Sequence, residues 1–148
     1  MKISSNMVTE ADSLFDLLLA QCADLEALLV LARGETVAVQ GRNFDELVRI
    51  TAERATLGER LEVYHRQIAE LRQRLGTAAE SALQSPTAVR ITELVNSVQT
   101  QDQQTQPLLL RIREEIGEES KKRNPTARSL TAYLNEGRMP AVACDQLA

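Results

Sequence analysis

Apolar side chains in the first third of the chain recur at alternating spacings of four and three, at Ala11, Phe15, Leu18, Cys22, Leu25, Leu29 and Ala32. A repeat near 3.5 residues is a heptad seam, and it predicts an α-helix with an apolar line turned toward a partner helix. Leu14, Leu17, Leu28 and Leu31 broaden that line, so the helix is expected to pack against more than one neighbour. Thr9 followed by Asp12 resembles a helix cap, which sets the start near residue 10. Gly34 and Gly41 weaken continuation and set the end near Val39.

A second seam runs through Leu47, Ile50, Leu57, Leu61, Tyr64, Ile68, Leu71 and Leu75. Asn43 is its expected cap, with Glu46 completing a capping box, and Gly76 its expected left-handed terminator. A helix over 44–75 would be roughly 48 Å long at 1.5 Å per residue, too long for the shell of a sphere. Arg54 is the one seam position that is not apolar. It reads as a snorkelling side chain or a register device, with a partner contact as the third option. Glu62 with Arg66 and Glu70 with Arg74 have the spacing of ion pairs on the outer face.

Residues 77–84 suit a frayed turn or short helix, and Ser85-Pro86 then marks a restart, serine as cap and proline in the first turn. The third helix is expected over about 86–122, with its apolar pattern at Ile91, Leu94, Val95 and Val98 and again at Leu108, Leu109, Leu110, Ile112 and Ile116. Pro107 predicts a kink or a split there. The polar, glutamine-rich run 99–106 reads as a solvated helical face. Beyond Asn124-Pro125 the pattern fades except for Leu130-Thr131-Ala132-Tyr133-Leu134. The expected architecture is therefore all-α. It is an elongated antiparallel hairpin or coiled-coil bundle of three main helices over 1–124, with a flexible tail over 125–148.

Composition agrees with that picture and narrows the function. The chain of 148 residues is 43% hydrophobic but 3% aromatic, with no tryptophan, so its apolar content is almost all aliphatic. A formal charge of −4 disfavours binding to duplex nucleic acid, and the missing aromatics remove a stacking platform for single strands. No uninterrupted apolar run is long enough for a membrane span. The segment Leu17-Leu18-Leu19-Ala20-Gln21-Cys22 resembles a lipoprotein cleavage site, but Glu10, Asp12 and Asp16 disqualify it as an export signal. Two distant cysteines, Cys22 and Cys144, suit a reducing cytoplasm.

Catalytic chemistry is not legible. No phosphate cradle or nucleophile elbow occurs, and no cofactor or metal is expected. Glu62 precedes His65 by three residues, half of a di-iron bundle motif, but His65 is the single histidine. It reads as a surface histidine beside an ion-paired glutamate, and the chain is not expected to be an enzyme. Cys22 reads as a small buried hydrophobe.

Three stretches carry a resemblance to a known family: Leu25-Glu26-Ala27-Leu28-Leu29, Gly41-Arg42-Asn43-Phe44-Asp45-Glu46-Leu47 and Glu53-Arg54-Ala55-Thr56-Leu57. Together they resemble the leading hairpin of the FlgN-type flagellar export chaperones, over roughly Leu14 to Leu75. The chain departs from the family pattern where two residues separate Gly41 from Phe44, where Arg54 replaces a lysine, and at Pro107. The resemblance implies a cytoplasmic chaperone that binds hook–filament junction proteins, prevents their early assembly and delivers them to the flagellar type III export apparatus. It implies client contact in the C-terminal helical part, over Leu108 to Leu134. There Leu109, Ile112 and Ile116 are expected to form the client-facing stripe, with Leu130, Tyr133 and Leu134 as a cover or gate-docking element. The competing expectation is a structural coiled coil that oligomerises through its seams; monomer and homodimer both remain open.

Overall fold

The computed structural model of the chain describes residues 5–121. They form an all-α bundle of α1 (Ser5–Gln40), α2 (Phe44–Leu75) and α4 (Pro86–Lys121). A 3₁₀ turn (Gly76–Ala79) and the single-turn α3 (Glu80–Leu83) join the last two. The three long helices run up, down and up. α1 packs along its length against both α2 and α4, which approach each other less closely. Leu130, Tyr133, Leu134 and Cys144 lie outside the described residues, as does the whole of the expected tail.

Local chemistry accounts for the boundaries. Ser85 Oγ accepts from the Ala88 amide at 3.3 Å ahead of Pro86, the cap expected for α4. Gly76 closes α2 with φ +55°. At the other end, Asn43 Oδ1 accepts from the Glu46 amide at 3.2 Å. The reciprocal arm of the capping box is not made. The Asn43 amide already donates to the Ala38 carbonyl at 2.8 Å, and the Arg42 amide to that of Val39 at 3.1 Å. That pair is a Schellman closure of α1, and its left-handed residue is Arg42, φ +52°, rather than Gly41.

Several expectations are corrected. α1 starts at Ser5, so Thr9 lies inside the helix instead of capping it; nothing between them breaks a helix. Gly34 lies within the span expected for the first helix, and α1 and α2 meet closely there: a Cβ on Gly34 would stand 3.4 Å from Ile50 Cδ1. Packing of that kind offsets the roughly 1 kcal/mol that glycine costs in a helix. α4 passes through Pro107 unsplit. Pro107 and Gln103 both face solvent, where water can satisfy the Gln103 carbonyl that loses its donor. Arg74 does not serve Glu70 but reaches across to Glu10 on α1 at 3.4 Å.

The seam of α1 also shifts. Its buried line is Leu14, Leu18, Gln21, Leu25, Leu28, Ala32, Glu35 and Val39, an unbroken four-three repeat. Gln21 and Glu35 are polar, so apolar spacing alone selects half-buried Cys22 in place of Gln21 and, one heptad earlier, half-buried Phe15 in place of Leu14. α2 keeps its expected seam with Arg54 inside it. α4 repeats through Ile91, Val95, Val98, Asp102, Thr105, Leu109, Ile112 and Ile116. The glutamine-rich run is therefore only partly a solvated face.

Candidate partner-binding site

The polar seam positions meet in one layer. Arg54 on α2 is fully buried and grips Asp102 on α4 with two guanidinium hydrogen bonds, 2.8 and 2.7 Å long. Its Nη1 also reaches Glu35 Oε1 on α1 at 3.5 Å, and Glu35 is 2% exposed. One cation thus joins all three helices. Beside it, Gln101 Nε2 donates to Thr36 Oγ1 at 2.7 Å, and the Thr36 and Thr105 hydroxyls lie 2.5 Å apart. Taking three charges out of water costs several kcal/mol per ion, so such a belt persists only with good geometry and partners on every helix. The snorkelling reading of Arg54 is thereby excluded; it sits where a register device would sit.

The belt divides the core. On one side a large cluster contains Leu14, Leu25, Leu61, Leu94 and Val98. On the other a smaller one gathers Ala38, Val39, Leu47 and Ile50 with Leu109, Ile112 and Ile116, and Phe44 leans on it half-buried. The three α4 residues expected to face a client are hence core: Leu109, Ile112 and Ile116 are 5%, 4% and 4% exposed. Each occupies a seam position of the same heptad that carries Asp102, so the packing that fixes α4 also turns them inward.

The open apolar surface lies elsewhere. Leu19, Val30 and Val37 on α1 are 57%, 67% and 68% exposed. With exposed Ala23 between them they form a second line at heptad-like spacing on the side of α1 away from its own seam. Exposed Asp12, Asp16, Glu26 and Arg33 flank that line on α1, and α2 and α4 carry isolated exposed hydrophobics at Val63, Val89 and Leu110. Between α1 and α2 the line opens into a groove of about 590 Å³. Ala27, Val30, Leu31, Ala52, Thr56 and Leu57 line it, and Glu53 and Arg60 stand beside them. Arg60 is held across the helices by Asp24, whose carboxylate raises the guanidinium pKa by hydrogen bonding and charge. Arg49 links Glu46 and Glu53 along the neighbouring turns of α2. The leucine content of the first helix signalled extra packing faces, but nothing in the spacing singled out this side as the open one.

Other chemistry-bearing groups do not converge. His65 is half-buried and lines a crevice of about 290 Å³ with Gln21, Ile68, Arg72 and Ile91. Among the described residues no group of three or more His, Cys, Asp or Glu is placed to hold a metal ion. Cys22 is a half-buried free thiol whose pKa is pushed up by burial and by Glu26, with Arg90 acting the other way. Among the described residues no helix is long and apolar enough to cross a membrane. The chain matches no family model, no curated protein and no solved structure.

Proposed function

We propose that the protein is a cytoplasmic export chaperone of the flagellar type III secretion system. In this reading it binds hook–filament junction proteins, keeps them from assembling early and delivers them to the export apparatus. The observation that carries the reading is the apolar α1–α2 groove with the exposed Leu19–Val37 line above it. Exposed aliphatic side chains beside an apolar groove mark an interaction surface, so the open side of α1 suits a fourth helix supplied by a partner. A client that folds only on assembly offers amphipathic helices. A groove of aliphatic methyl groups reads an apolar stripe on such a helix without demanding one sequence. The hairpin resemblance over Leu14 to Leu75 supplies the identity of the client.

Purified junction protein titrated with the chain tests this directly. Val30 is 67% exposed, so Val30→Glu should leave helical circular dichroism unchanged while weakening client binding at least tenfold. Equal affinity of variant and parent would remove the groove from the role, and a parent that binds no junction protein would remove the chaperone reading. The heptad-like spacing of the same line favours one competing function, a coiled coil that assembles with its own copies. Its mark would be a dimer in sedimentation that Val30→Glu dissociates and that junction protein leaves intact.

A further inference from the structure

The geometry points to a second role for the distal third of α4: its Pro107–Glu119 segment is a placeholder that lifts away about the Arg54 belt and leaves a cleft for an incoming amphipathic helix. Three independent features converge there. The fully buried apolar residues fall into two clusters on either side of the belt, and half-buried Leu31 packs against both, so the cluster around Leu109, Ile112 and Ile116 has little apolar continuity with the larger core. The junction carries Pro107, which lacks the amide that would tie it to the preceding turn. Among the described residues, the ion pair that ties this segment to the rest of the bundle is Arg42–Glu115, which is solvent-exposed and screened by salt. The belt itself binds all three helices and acts as the fulcrum.

With the segment lifted, Ala38, Val39, Leu47 and Ile50 would form the floor of an apolar cleft between α1 and α2. The occupant it fits is a helix with aliphatic residues at the three-then-four spacing of Leu109, Ile112 and Ile116 and an acid placed, as Glu115 is, for Arg42. That the natural occupant is a secreted client rests on the chaperone reading; the opening does not.

Hydrogen exchange on the full chain, with a peptide of residues 105–121 as the incoming helix, tests the idea. Amides of 107–119 should exchange together, at least tenfold faster than those of 91–98 in the same helix. The labelled peptide should bind the intact chain, and Ile116→Ala should tighten its apparent affinity several-fold by loosening the placeholder while leaving exchange at 91–98 unchanged. Equal protection on both sides of the belt would overturn the proposal, as would a peptide that binds neither parent nor variant. Peptide binding without junction-protein binding would sustain the cleft and defeat the chaperone reading. Junction-protein binding with uniform protection would do the reverse.

Discussion

Arg54 shows how one side chain can specify an arrangement without being its main source of stability. Its two hydrogen bonds to Asp102 and its contact with Glu35 are satisfied only when α1, α2 and α4 are in one register. A slip of one heptad on any helix would set an aliphatic residue against a buried charge. The energetic consequence is asymmetric. Arg54→Ala strands two acids, one of them 2% exposed, and should lower unfolding free energy by about 3–5 kcal/mol. Replacing the triad together, Glu35→Leu with Arg54→Met and Asp102→Leu, should be neutral or stabilising by about 1–4 kcal/mol, since nothing charged is left behind. Urea titrations of the two variants check this. A triple variant as unstable as Arg54→Ala would mean that the belt contributes net stability, not register alone.

Among elements, the α1–α2 turn is where sequence and structure diverge most informatively. Gly41 is present, yet the left-handed position falls one residue later, on Arg42 at φ +52°. The Schellman bonds to Ala38 and Val39 fix that phase, and Arg42 keeps the position while its side chain reaches Glu115 on α4. Arg42→Gly should therefore relax the backbone and raise the melting temperature by a few degrees at high salt, where the exposed ion pair is screened. The gain should shrink at low salt. A loss at both ionic strengths would show that the tie to α4 outweighs the strain. Helix type, the caps at Asn43 and Ser85 and the α2 seam were legible because each rests on spacing or on a local donor and acceptor. The α1 seam was misphased because Gln21 and Glu35 occupy it, and apolar spacing does not see a buried polar residue such as Glu35, whose partner Arg54 lies 19 positions away on another helix. Continuing the heptad through Leu25, Leu28 and Ala32 does land on Glu35, so the signal existed. The inward turn of Leu109, Ile112 and Ile116 had the same origin, since their apolar stripe is equally a core line or a docking line until the neighbouring helices are placed.

For the whole molecule, the belt raises the question of whether the bundle melts as one unit. Among the described residues sixteen buried ones make up the proximal cluster and seven the distal one, and cooperativity between them passes through three helices, one layer of charge and the half-buried Leu31 that packs against both. Leu94 is fully buried in the proximal cluster, so Leu94→Ala should lower the stability of the entire molecule by about 2–5 kcal/mol. Leu109 is nearly as buried, at 5% exposed, and Leu109→Ala removes the same atoms from the distal cluster. If the distal part opens below the global transition, its loss is felt mainly in that local opening, and the global urea midpoint should move about half as far as for Leu94→Ala. Exchange at 107–119 should meanwhile rise more than exchange at 91–98. Equal midpoint shifts with equal exchange on both sides would describe a single cooperative bundle. In that case Leu109, Ile112 and Ile116 would be structural in every state of the protein, and the exposed side of α1 would be left as the surface through which it acts.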